Sequence, residues 1–201
     1  MAVKAVVFDI GGVLAVTPFL GVNEKWDHRL GLAPGGIENR LHSVLSAGGI
    51  GAVTLDEVHQ RIGELLRLDP AHVAAFMADA WEEYLGTLNV GLADYFTSLR
   101  PAYRTAIISN SFVGAREREQ ERFGFEQMTD LIIYSHEAGV AKPDRRVFDL
   151  ACERLDVRPE EMVFLDDVEP YVEAAREAGI QAILFTGTSE AIADVHARLR
   201  A

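Results

Sequence analysis

The chain has 201 residues, enough for one full domain and a substantial insert, and its apolar share of 49% with 25% charged residues excludes disordered, fibrous and membrane-embedded classes. Nineteen basic residues against 31 acidic ones leave a net charge of −12, a field that repels nucleic acid and anionic lipid and requires a local positive site for any anionic substrate. Cys152 is the one cysteine, so neither a disulfide framework nor a multi-cysteine metal site is possible.

In chain order, residues 3–8 form a short β-branched run that ends at Asp9 and the pair Gly11-Gly12, which predicts a buried central strand followed by a sharp loop. Asp9 also interrupts the apolar N-terminal stretch, and no run of about 18 apolar residues occurs, so neither a signal peptide nor a membrane span is expected. A cytoplasmic protein is the corresponding expectation.

Residues 16–99 carry helix-period stretches and loops but no convincing strand, which predicts an inserted helical domain. Thr54-Leu55-Asp56-Glu57 has the capping-box pattern for a helix through Leu66, and Pro70 suits the first turn of another ending near Tyr84. Gly31, Gly35-Gly36, Gly48-Gly49 and Gly51 punctuate this block. The stripe Leu65, Leu66, Leu68, Val73, Phe76, Met77, Trp81 and Tyr84 reads as its packing face, with surplus area for dimerisation, so monomer and homodimer both stay open.

Beyond it come strand patterns at 105–108, 131–134, 162–165 and 181–185, interleaved with helical patterns at 114–123, 144–155, 169–178 and 189–199. Strand and helix in alternation predict an α/β, doubly wound (Rossmann-like) parallel sheet built from residues 1–15 and 100–201. Ligands of such sheets bind outside the carboxyl ends of the strands. Those positions hold Asp9, Ser109-Asn110, Lys142-Pro143 and Asp166-Asp167: an acid nucleophile, a hydroxyl and amide donor, a cation and an acid pair. The same residues have structural readings too, as turn pairs, helix starts or strand terminators, and only their joint placement argues for chemistry.

The segments FDIGGVL (8–14), IISNS (107–111), AKPD (141–144) and FLDD (164–167), in that order, resemble the motifs of the haloacid dehalogenase (HAD) superfamily, and the helical insert after the first motif resembles its first-class cap. The resemblance implies a hydrolase of a small phosphorylated metabolite that passes through an aspartyl phosphate on Asp9. It implies Mg²⁺ held by Asp9, the Gly11 carbonyl and Asp167, with Asp166 a ligand through water or an orienting group. It puts Gly11, Gly12, Ser109, Asn110 and Lys142 at the phosphate, with Ser109 and Lys142 also serving catalysis.

Two departures stand out. Most phosphatases of the superfamily have a second aspartate two residues after the nucleophile as general acid and base, and here that position is Gly11. Either the substrate has a good leaving group, as in acyl, aryl or sugar-anomeric phosphates, or a cap residue such as His28 or His42 supplies the proton. Tyr171 occupies a place where relatives have asparagine. Trp26, His28, Arg29, Arg40 and His42 are candidate lining groups. Two alternatives remain at this point: a metal-independent 2-haloacid dehalogenase, and a binding or regulatory module with little turnover.

Overall fold

The computed structural model describes residues 2–200. The elements run β1 (Ala5–Phe8), β2 (Ala15–Val16), α1 (Val22–Leu30), α2 (Gly36–Gly49), α3 (Leu55–Leu66), α4 (Pro70–Leu85), β3 (Thr87–Leu88), α5 (Val90–Ser98) and β4 (Arg104–Ser109). They continue with α6 (Ala115–Phe123), α7 (Phe125–Met128), β5 (Leu131–Tyr134), α8 (Ser135–Ala138), α9 (Arg145–Leu155), β6 (Met162–Asp166), α10 (Glu169–Glu177), β7 (Gln181–Leu184) and α11 (Thr188–Leu199).

Five strands form one parallel sheet in the order β5-β4-β1-β6-β7. Its central strand β1 is buried along its whole length, because alternate side chains must satisfy two opposite layers. Val6 and Phe8 join one apolar cluster with Leu92 and Phe96 of α5 and Val195 of α11. Ala5 and Val7 join the other with Val147 and Phe148 of α9 and Val172 of α10. Phe8 and Phe96 stack at 4.6 Å, so α5 belongs to the sheet layer although its sequence lies within the stretch read as helical insert. From β1 the chain builds outward to β4 and β5, then returns to the other side of β1 for β6 and β7. The strand order therefore reverses beside β1, the position at which doubly wound sheets open a crevice.

The helices α1–α4 bury a third cluster, including Trp26, Ile37, Leu41, Ile62, Phe76 and Trp81. Thr54 caps α3 through the expected capping box, and Asp69 caps α4 ahead of Pro70. Contrary to the strand-free reading of residues 16–99, Thr87–Leu88 forms a short strand. It pairs antiparallel with β2, Ala15 opposite Leu88 and Val16 opposite Thr87, so the chain leaves and re-enters the sheet layer through one two-stranded ribbon. Among the described residues no helix is long and apolar enough to cross a membrane.

A second contact joins the helical block to the sheet layer. Ser135 Oγ donates to the Gly49 carbonyl at 2.7 Å and accepts from the Ser111 N–H at 2.8 Å. Gly51 has φ +68°, and a Cβ there would lie 1.8 Å from the His136 carbonyl oxygen. Left-handed backbone and backbone contact both demand glycine. Gly51→Ala should therefore lower stability by about 1–3 kcal/mol, read from chemical denaturation, with an unchanged midpoint refuting this close approach.

Candidate active site

The site begins where β1 ends. The Asp9 N–H donates to the Leu165 carbonyl at 2.9 Å, which continues the sheet by one residue and brings the Asp9 side chain beside the end of β6. There Lys142, fully buried at its side chain, places Nζ 2.7 Å from Asp9 Oδ1 and 2.6 Å from Asp166 Oδ2, and donates to the Ile108 carbonyl at 3.0 Å. All three ammonium hydrogens are thus committed to protein oxygens. The loop carrying Lys142 is fixed to the end of β4 by a reciprocal pair: Asn110 Nδ2 donates to the Lys142 carbonyl, and the Lys142 N–H donates to Asn110 Oδ1, both at 2.8 Å. The ring of Tyr171, the residue that departs from the family pattern, sits 5.4 Å from Lys142 Nζ and takes part in enclosing the ammonium.

Asp166 is completely buried, and its second oxygen, Oδ1, accepts the Val168 N–H at 2.9 Å. Asp167, more exposed, presses against the loop that follows β1: at Gly12, where φ is +73°, a Cβ would lie 1.9 Å from Asp167 Oδ2. No side chain fits between them. Carboxylate oxygens of Asp9, Asp166 and Asp167 all lie within 4.8 Å of one another. Three carboxylates around one ammonium leave an excess of negative charge, and an all-oxygen donor set of this size suits a hard divalent cation such as Mg²⁺.

The titration of these groups follows from their surroundings. Burial pushes the Asp9 carboxyl up to about 6; the Lys142 charge opposes that and the Asp166 charge adds to it. Burial works against the Lys142 ammonium, yet Asp9 and Asp166 together lift its pKa above the ordinary lysine value. Asp167 is likewise raised, by burial and by Asp166. Replacing Lys142 with Met strands two buried carboxylates against each other. A loss of about 3–5 kcal/mol in urea denaturation is expected, and a loss below 1 kcal/mol would contradict the buried-pair geometry.

A cavity of about 510 Å³ opens over the loop, lined on the sheet side by Ile10, Gly11, Ser109 and Asn110. The helical block contributes Thr17, Pro18, Phe19, Val22, Asn23, Ala80, Glu83 and Tyr84. Among the described residues its lining contains no Lys, Arg or His. The candidate lining set Trp26, His28, Arg29, Arg40 and His42 is absent from this wall. Trp26 is buried in the helical cluster with its Nε1 donating to Asp79 Oδ2, while His28 and His42 are exposed. His28 follows Trp26 by two residues, about 200° around the helix, so burying one turns the other outward. Arg29 lies over the Trp26 ring, and Arg40 reaches the Leu65 carbonyl. Tyr84, read only as packing, is a wall of the cavity.

The remaining wall residue, Glu119 of α6, was not singled out by sequence reasoning. It is 1% exposed, and its Oε2 has no hydrogen-bond partner. Burial pushes its carboxyl up to about 7, against the hydroxyls of Tyr134 and Tyr84 and with the Asp9 charge adding to the rise. A raised folded-state value means that folding favours the protonated form, so this contribution is complete below about 4.5 and is lost as pH rises through about 7. Glu119→Gln cannot ionise. Its stability relative to the native chain should therefore grow between pH 5 and pH 8 in thermal melts, and a pH-independent difference would refute the buried, titrating carboxyl.

The match to known proteins agrees with this geometry. Residues 3–179 match the haloacid dehalogenase-like hydrolase family, and the chain belongs to it. It is 28% identical over 196 residues to phosphatase MT3486 of Mycobacterium tuberculosis, covering 92% of this chain and 88% of that protein. Its fold matches a HAD-like family hydrolase from Porphyromonas gingivalis over 100% of both chains, with a TM-score of 0.83 and 21% identity. It also matches the magnesium complex of the HAD family enzyme BT-2542 from Bacteroides thetaiotaomicron, with a TM-score of 0.77, 21% identity, and 92% and 94% of the two chains covered. The chain is thus a HAD hydrolase with phosphatase relatives.

Proposed function

We propose that this enzyme hydrolyses small phosphate monoesters through an aspartyl phosphate on Asp9, with Mg²⁺ held by Asp9, Asp167 and the Gly11 carbonyl, and Asp166 supporting the set. The observation that carries the reading is the cluster of Asp9, Asp166 and Asp167 around Lys142, at the carboxyl ends of adjacent strands and beside a cavity. Bound there, Mg²⁺ would offset the repulsion between the Asp9 carboxylate and the phosphoryl oxygens. Lys142 holds one Asp9 oxygen, which leaves the other to form the bond to phosphorus. The Ser109 hydroxyl and the Asn110 backbone N–H, at the end of β4, would take equatorial phosphoryl oxygens as charge builds, over the open backbone of Gly11 and Gly12. Lys142 acts on the phosphate by its charge, since a direct hydrogen bond would require it to release Asp9, Asp166 or Ile108. Water then hydrolyses the intermediate and returns Asp9.

The lining of the cavity narrows the substrate. With no cationic side chain among the described residues of its wall, it offers no charged partner to a second phosphate or to a carboxylate. The part of the substrate beyond the phosphate is accordingly neutral, apolar against Phe19, Val22 and Tyr84 or hydroxylated towards Asn23. A 2-haloacid fits less well because Asp166 and Asp167 add two further carboxylates beside Asp9, which oppose a carboxylate substrate. The helical block, residues 16–99 in the sequence reading, would act as a cap that supplies these contacts. Judged on Gly11 alone, the chemistry favours esters whose leaving group departs unaided.

Phosphate release from a panel of aryl, sugar and alkyl phosphates should depend on Mg²⁺, stop in chelator and return when Mg²⁺ is restored. Asp9→Asn should lower it by roughly 10⁴-fold or more. Halide release from a 2-haloacid in chelator, with no phosphate release in Mg²⁺, would overturn the proposal.

A further inference from the structure

Gly11 removes the usual proton carrier but also leaves room: a Cβ built there would meet nothing within 4 Å. The emptied space belongs to the same cavity whose wall includes Glu119. That carboxyl comes from α6 rather than from the loop after β1, is 99% removed from solvent with the Tyr84 and Tyr134 hydroxyls beside it, and its Oε2 has no hydrogen-bond partner among the described residues. An unpartnered buried carboxyl oxygen is costly to stability unless a ligand uses it. The other acid of the cavity wall, Glu83, is engaged by the N–H groups of Leu20 and Val22.

We propose that Glu119 is the general acid and base of this enzyme, giving a proton to the leaving oxygen of the substrate and taking one from the hydrolytic water. The inference rests on the phosphomonoesterase reading and assigns the role that Gly11 leaves vacant. In the first step an Asp9 oxygen bonds to phosphorus, and the ester P–O bond breaks. Its electron pair stays on the leaving oxygen, which takes the Glu119 proton and departs as an alcohol. In the second step the water oxygen bonds to phosphorus and the Asp9–phosphorus bond breaks, its pair returning to Asp9. The water proton goes to Glu119, which restores the starting state. The titratable and charged groups that face Glu119 are Tyr84 from α4, Tyr134 from β5, Asp9 at the end of β1 and Arg116 from its own helix. Of these, the two phenols are held protonated by burial far beyond neutral pH, so the carboxyl is the group of the three that exchanges a proton in the working range.

The test uses the full-length enzyme in saturating Mg²⁺ with a simple alkyl phosphate and with 4-nitrophenyl phosphate. Glu119→Gln should lower kcat on the alkyl ester by roughly 10²–10⁴-fold with little change in KM. It should keep a burst of 4-nitrophenolate, because that leaving group needs no proton, and then turn over slowly because the second step lacks its base. The double variant Gly11→Asp/Glu119→Gln, which restores an aspartate where there is space for one, should recover alkyl-ester turnover at least ten-fold over Glu119→Gln. A merely structural glutamate would produce no such rescue. Thermal melts verify that each variant is folded. Glu119→Gln with alkyl-ester kcat within three-fold of native, or loss of the 4-nitrophenolate burst together with a turnover defect that Gly11→Asp does not relieve, overturns the assignment while the phosphatase reading stands. Absence of phosphate release from either ester by the native enzyme overturns both.

Discussion

Lys142 is the constraint on which the site depends. A fully buried ammonium between two buried carboxylates is tolerable only because its charge and its three hydrogens are all matched, at 2.6–3.0 Å. That requirement ties together four separate pieces of chain: the end of β1 through Asp9, the end of β4 through Ile108, the end of β6 through Asp166, and the loop that bears Lys142 itself. Misplacing any one of them exposes an unpaired buried charge. The same cation therefore sets the position of Asp9 and penalises alternative packings of the sheet's carboxyl edge.

The site is assembled from two layers with different duties. The sheet edge is rich in charge and gathers Asp9, Ser109, Asn110, Lys142 and the acidic doublet. The helical layer presents Phe19, Val22, Ala80 and Tyr84, which shape the room without contributing cations. Glu119 lies between the two, carried by the sheet layer's α6 but facing the cavity that the helices close. Asp9 and Glu119, both buried and both raised in pKa, repel each other when charged, so a second positive charge near Asp9 lowers the cost of ionising either.

Much of this was legible in the sequence because the signals are local. Short β-branched runs bounded by glycine or acid mark β1, β4, β5, β6 and β7, and the residues that follow them fall at one edge of the sheet once the strands are parallel. What escaped was whatever depends on orientation. Glu119 sits in the run AREREQERF, where charges crowd every face and nothing in the pattern says which one turns inward. Strands β2 and β3 have two residues each, too few for any alternation to register. His28 and Arg29 were plausible lining groups by type, yet the burial of Val22 and Trp26 rotates them to the outside. Leu92 and Phe96 read as insert by position, and only the stacking of Phe96 on Phe8 shows that α5 covers the sheet.

The β2–β3 ribbon has a consequence for how such a protein can be remade. Because Val16 and Thr87 are hydrogen-bonded neighbours, the seventy residues between them start and finish about one strand spacing apart. To the sheet, the whole helical layer is topologically no more than a long hairpin loop. Lengthening, trimming or replacing that loop between Val16 and Thr87 need not alter the register of the five-stranded sheet.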